Sequence, residues 1–111
     1  MAEGAQLTFE FELDAIPVLD EALEMYERGM TTGVNRSNRR MVEAGLRIER
    51  ELPDWHEEIL IDPQTSGGLL VALPEEDAKQ SVQELKSKGV AAAAIVGRVA
   101  AQREKRVLVF G

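Results

Sequence analysis

One segment holds most of the chemistry-bearing residue types. Asp62-Pro63-Gln64-Thr65-Ser66-Gly67-Gly68 combines a carboxylate, two hydroxyls and two adjacent glycines. Glycine lets a backbone approach a ligand closely or take a positive φ. Thr65 and Ser66 bring hydroxyls to the same place, and consecutive N–H groups can cradle an anion. Asp62 can cap the turn or assist a metal. The plainer reading is an Asx-type turn that launches the next element, and composition alone favours it. No Lys follows the glycines, so this is not a Walker A loop, and the spacing is not GxGxxG. If the glycines serve a ligand, the loop lies at the edge of a cleft. At least one of Gly67 and Gly68 then takes a conformation that a Cβ disfavours.

Other candidates are weaker. Arg36, Arg39 and Arg40 form the one basic cluster of an acidic chain. Their default role is a solvated face. The alternative is an anion-facing loop opposite residues 62–68, with Asn35 and Arg36 as its candidates, suited to a phosphate. His56 is the single histidine and Cys is absent, which excludes disulfides, thiolate zinc sites and a Cys nucleophile within these residues. A metal site normally gathers several ligands, so His56 alone reads as a surface group. No metal site and no catalytic residue is expected here. Glu75, Glu76 and Asp77 read as acids at a helix start. Trp55, Met30 and the approach to Asp62 read as a surface that another domain covers.

The 111 residues are 44% hydrophobic and 30% charged, with a formal charge of −7. That predicts one ordinary globular domain over residues 1–111. The negative charge disfavours nucleic acid and anionic membrane as partners. No run approaches the length of a membrane span. The first residues lack the basic start and apolar stretch of a secretory signal. A cytoplasmic location is the expectation.

Hydrophobic periodicity supplies the elements. Residues 7–13 alternate strictly, with Leu7, Phe9, Phe11 and Leu13 facing in and Thr8, Glu10 and Glu12 on a wet or partner-covered face. Residues 17–28 repeat apolar positions at helical spacing, and Gly29 follows as a left-handed stop. Residues 29–38 read as an ordered loop and 39–51 as an irregular helix capped by Ser37 or Asn38. Residues 55–61 read as one or two helical turns. The continuous apolar run 69–73 predicts a central strand covered on both faces. A helix from Pro74 to Gly89, a strand over 93–101 and a strand over 106–110 complete the chain. The last two are expected to pair as a hairpin. The fold class is α+β: a four-stranded mixed or antiparallel sheet flanked by helices, partly ferredoxin-like.

Asp62-Pro63-Gln64-Thr65-Ser66-Gly67-Gly68-Leu69-Leu70 resembles the hallmark of the C-terminal domain of the selenophosphate synthetase (selenide, water dikinase) family. Ile16-Pro17-Val18-Leu19 resembles the start of that domain. Gly29-Met30-Thr31-Thr32-Gly33-Val34-Asn35-Arg36 resembles its Gly-Met-x-x-Gly-x-x-x-Asn loop, with Thr31-Thr32-Gly33 where many relatives have Pro-Gly-Gly. Ile95-Val96-Gly97-Arg98-Val99 resembles its penultimate strand. The resemblance covers essentially the whole chain. It implies a two-domain, homodimeric, ATP- and magnesium-dependent enzyme that makes selenophosphate, AMP and phosphate from selenide, ATP and water. It also implies that the N-terminal domain supplies nucleotide binding, magnesium ligands and a catalytic Cys or selenocysteine with a nearby Lys. None of these lies in residues 1–111, so the chain is expected to be inactive alone, with residues 62–68 closing one side of the active cleft. Two alternatives stay open: a non-catalytic small-molecule-binding or regulatory module, and the C-terminal domain of another aminoimidazole ribonucleotide synthetase-like enzyme.

Overall fold

The computed structural model describes residues 1–111. A short helix α1 (Ala2–Ala5) leads into β1 (Thr8–Glu12) and a 3-10 turn (Leu13–Ala15). Helices α2 (Ala22–Glu27) and α3 (Gly33–Val42) follow, then β2 (Leu46–Ile48), α4 (Asp54–Glu57) and a second 3-10 turn (Glu58–Leu60). Helix α5 (Glu75–Ser87), β3 (Gly97–Ala100) and β4 (Val107–Phe110) end the chain. The four strands form one sheet in the order β2-β4-β1-β3. β1 runs parallel to β4 and antiparallel to β3, while β2 runs parallel to β4. The α+β class and the four-stranded mixed sheet therefore agree with the sequence.

β1 organises the sheet. Register places Phe9 beside Val107 and Val99, Glu10 beside Leu108 and Arg98, and Phe11 beside Val109 and Gly97. Phe9, Leu108 and Val109 are buried, with Leu13, Tyr26 and Ile61. The face of β1 expected to be wet or partner-covered is covered from within the chain at two positions, Thr8 and Glu10, 0% and 3% exposed, while Glu12 is exposed. Thr8 Oγ1 donates to Lys105 O at 3.0 Å and accepts from Arg103 N at 2.8 Å, so the β3–β4 connection lies over it. Arg98 Nε donates to Glu10 Oε2. Arg103 Nη2 lies 2.9 Å from Oε1 but off the hydrogen-bond direction, so it neutralises that oxygen without donating to it. Two guanidiniums on one carboxylate explain how an acid is tolerated in the sheet.

Four expectations are corrected. β3 and β4 do not form a hairpin, because β1 lies between them. A six-residue connection (101–106) is long enough to step across one strand, roughly 10 Å for two strand spacings. The run 69–73 is not a strand. Leu69 is 94% exposed, and Leu70, Val71 and Leu73 are exposed too. The run has no ladder partner; the fourth strand of the sheet is β2. The loop–helix boundary near residue 38 also moves. Thr32 Oγ1 accepts from Asn35 N and caps α3, which then ends at Val42. Residues 46–48 pair with β4 rather than continuing a helix. Finally, α2 is shorter than its periodicity, and Leu19 is exposed. The stops at Gly29 and Gly89 are where the sequence puts them, with φ of 77° and 92°.

Gly97 shows what the sheet demands of one position. A Cβ there would lie 2.0 Å from Glu10 O and 2.9 Å from Phe11 Cα. Gly97→Ala forces β3 away from β1 and is expected to destabilise the chain by about 1–3 kcal/mol, read by urea denaturation; an unchanged midpoint contradicts this close approach. Leu69→Ser combined with Val71→Ser is expected to leave that midpoint unchanged and to lower binding of a hydrophobic dye. A large loss of stability instead means that the run is buried.

Candidate functional site

The site is built around Asp62, where the second 3-10 turn ends and the turn-rich segment begins. The penultimate residue of α2 is a buried tyrosine, Tyr26, 4% exposed. Its hydroxyl donates to Asp62 Oδ1. α3 places Asn35, 2% exposed, against the same hydroxyl. Asn35 Nδ2 donates to Tyr26 Oη at 3.2 Å and to Glu58 Oε2 at 2.7 Å. Asn35 Oδ1 accepts from Thr32 Oγ1 at 2.6 Å, and Thr31 Oγ1 donates to Glu58 Oε2 at 3.3 Å. Every polar atom of the Asn35 side chain is thus engaged, as burial requires.

Arg39 closes the network from the other side, 2.8 Å from Glu57 Oε2 and 3.3 Å from Glu58 Oε1. The Glu57 hydrogen bond first, then Glu58, raises the guanidinium pKa still further. Asn38 Nδ2 donates to Ile61 O at 2.8 Å, which ties α3 to the residue before Asp62. Asp62 also lines a shallow groove of about 190 Å³ with Asn38, Met41, Val42, Leu60 and Ile61. A neighbouring groove of about 260 Å³ runs between α3 and β2, past Val42, Leu46, Ile48 and Ile61.

The structure brings some of the expected residues together and separates others. Asp62 and Asn35 share Tyr26. Gln64 Nε2 donates to Asp62 Oδ2 at 3.3 Å. Thr65, Ser66, Gly67 and Gly68 are exposed beyond it. Neither glycine has a positive φ, one of the two reasons considered for them. Gly67 is instead crowded: a Cβ there would lie 2.4 Å from Gln64 Oε1 and 3.1 Å from Gln64 Cβ. Nothing lies within 4 Å of a Cβ built on Gly68. Arg36 is exposed and forms none of the chain's ion pairs. Trp55 is half-buried and stacks on His56 with centroids 5.3 Å apart. Met30 is 49% exposed. Tyr26 and Glu58 were not singled out from the sequence. Tyr26 falls on the apolar period of its helix, where an aromatic reads as core. Glu58 sits among other acids with nothing to distinguish it.

No group of three or more His, Asp or Glu side chains comes together to hold a metal ion. These residues therefore do not fit a magnesium site of their own. What the arrangement can do is hold a short exposed loop by its first residue and present backbone N–H groups and two hydroxyls to an anion.

Burial, and after it the Asp62 hydrogen bond, raises the Tyr26 pKa above its ordinary 10.0. The folded state thus favours the neutral phenol. The stability this gives is fully present below pH 10.0 and is lost as pH rises from there through the raised folded value. Tyr26→Phe is expected to lose about 1–2 kcal/mol at neutral pH and to show a shallower alkaline decline than the parent, read by urea denaturation on both sides of pH 10.0. Identical alkaline declines in the two proteins contradict this.

Residues 1–110 match the family described as AIR synthase related protein, C-terminal domain. The chain is 42% identical over 101 residues to a selenide, water dikinase of Rhizobium meliloti (strain 1021), covering 91% of this chain and 29% of that protein. It is 37% identical over 110 residues to selenide, water dikinase 2 of Peptoclostridium acidaminophilum, covering 99% and 31%. It is 32% identical over 110 residues to the selenide, water dikinase of Clostridioides difficile (strain 630), covering 99% and 32%. The chain therefore spans about three-tenths of the length of these curated relatives. Since the family match takes in every element from α1 to β4, the chain belongs to the AIR synthase related protein C-terminal domain family.

Proposed function

We propose that residues 1–111 are a single domain, the C-terminal domain of an ATP-dependent selenide, water dikinase. The reaction is that of selenide, ATP and water giving selenophosphate, AMP and phosphate. The observation that carries this reading is 42% identity across 91% of the chain to a protein named selenide, water dikinase. The nine-residue run from Asp62 to Leu70 supports it, since a purely regulatory module has no need of that sequence. An N-terminal domain of the same parent supplies nucleotide binding, magnesium and the nucleophile, and the parent acts as a homodimer in the cytoplasm. No helix here is long and apolar enough to cross a membrane.

In this reading residues 62–68 face the substrate or the phosphorylated product. Asp62 anchors the loop from within the domain. Thr65 and Ser66 offer hydroxyls, and Gly67 and Gly68 offer N–H groups that carry no side chain of their own to screen them. Such groups act by positioning and neutralising a phosphoryl group, which is most of what phosphoryl transfer asks of a protein. Asn35 holds the base of this arrangement. Arg36, exposed and in no ion pair, is a cation available to an anion.

Gly68 gives a clean test in the whole enzyme. Its φ is not positive and nothing crowds its Cα, so alanine is tolerated by the fold. Gly68→Ala in the parent is expected to lower turnover by about tenfold with an unchanged melting temperature, because a ligand rather than the protein occupies that space. Unchanged turnover and substrate affinity contradict the placement of the loop. The 111-residue chain alone is expected to release no AMP from ATP and selenide in the presence of magnesium. Selenide-dependent AMP above a heat-killed control contradicts the division of labour.

A further inference from the structure

Gly67 poses a question that backbone angles do not answer. Its φ is not positive, so glycine is not needed there for conformation. The crowding comes from one side chain. Gln64 folds back so that its Oε1 sits 2.4 Å from where a Gly67 Cβ would be, while its Nε2 donates to Asp62 Oδ2 at 3.3 Å. The other oxygen of Asp62 accepts from Tyr26. Tyr26 in turn accepts from Asn35, whose Oδ1 is held by the N-cap residue of α3, Thr32. These hydrogen bonds run in one line from a helix N-terminus to Gln64, whose amide lies beside Gly67.

We propose that Tyr26 and Gln64 are positioning residues, the two ends of a side-chain relay that fixes the loop at Gly67 through the two oxygens of Asp62. Tyr26 sets the orientation of the carboxylate from inside the domain. The carboxylate orients the Gln64 amide, and the amide lies over the Gly67 Cα. Gly67 is glycine so that this amide has room. Any Cβ there pushes the amide off Asp62 and uncouples the loop from the buried network. Burial of Tyr26 and Asn35 makes the inner end stiff, since neither can exchange its partners for water. The mechanical role of the relay depends only on these contacts. Its catalytic meaning rests on the reading that residues 62–68 face substrate.

Two consequences separate a relay from a set of independent contacts. The first is non-additivity. Gly67→Ala and Gln64→Ala each break the same link, so each is expected to about double the amplitude of fast backbone motion at residues 65–68, read from amide relaxation, and the double variant to add nothing beyond either alone. Independent contacts give effects that accumulate instead. The second consequence is transmission. The Tyr26 hydroxyl faces the carboxylates of Asp62 and Glu58 and the amide of Asn35, and Arg39 balances Glu58 and Glu57 from the other side. Ionising the phenol places a third negative charge on Asp62 and Glu58, so the carboxylate turns away and Gln64 follows.

The test uses the 111-residue chain without substrate. Tyr26 is the single tyrosine, so ultraviolet difference absorbance follows its ionisation alone. The Cα carbon shifts of Gln64 and Gly67 are recorded through the same pH range. The relay predicts that they move with the midpoint of the phenol. It predicts that Tyr26→Phe abolishes the movement, and that Gln64→Ala abolishes it at Gly67 while leaving the phenol titration in place. Gly67 shifts that ignore the phenol, or motional effects that accumulate in the double variant, overturn the proposal. Because Gln64 is exposed, its variants report even where Tyr26→Phe perturbs folding. A relay that passes this test in a parent whose Gly68→Ala variant keeps full turnover leaves the relay standing and removes its catalytic meaning.

Discussion

Everything in this domain is hung on β1. It is the one strand with a neighbour on each side of opposite sense, β4 parallel and β3 antiparallel, and it can serve both only because β3 carries a glycine at the crossing. Gly97 lets the β3 backbone lie against Glu10 and Phe11 with no atom to spare. The consequence passes to both faces. Phe9 packs into the apolar layer, while Glu10, carried inward on the opposite face, is neutralised by Arg98 and Arg103. The connection that follows β3 then passes over Thr8 to reach the far side of β1, and β4 and β2 fall into place beside it.

What the sheet leaves unburied matters as much. Only ten residues are buried, and the helices α2, α3 and α4 are bound to one another largely by polar contacts rather than by a thick apolar layer. Leu69, Leu70, Val71 and Leu73 follow the candidate loop directly and stay exposed. The loop is therefore firm at Asp62, where Tyr26 and Gln64 hold it, and free beyond Gly68. A loop of that kind can be anchored in one domain and read by another.

The sequence disclosed these features unequally. The strict alternation of residues 7–13 revealed β1, because period 2 has few rival explanations. The stops at Gly29 and Gly89 were legible because a left-handed residue after a helix is nearly a glycine monopoly. The run 69–73 was misread because apolar composition reports preference for burial and says nothing of a ladder partner. β2 was missed for the reverse reason. Three residues, Leu46, Arg47 and Ile48, are too few to show a period, and they form a strand only because β4 is there to receive them. The loop 62–68 was found from its residue types. The network beneath it was not, since Tyr26, Asn35, Glu58 and Asp62 lie on four different segments and meet only in three dimensions. Gly67 was singled out for close backbone approach or a positive φ; its φ is not positive, and a Cβ there would meet the Gln64 side chain, which the sequence did not foretell.

The central claim is that residues 62–68 face the phosphates handled by a selenide, water dikinase of which this chain is the C-terminal part. The most direct measurement is paramagnetic broadening in the whole parent enzyme, with manganese replacing magnesium on the bound nucleotide. The account predicts that the resonances of Thr65, Ser66, Gly67 and Gly68 are broadened most, while those of β2 and of the C-terminal half of α5 stay sharp. Sharp loop resonances with manganese–nucleotide bound, or broadening centred on any other part of this domain, would contradict it.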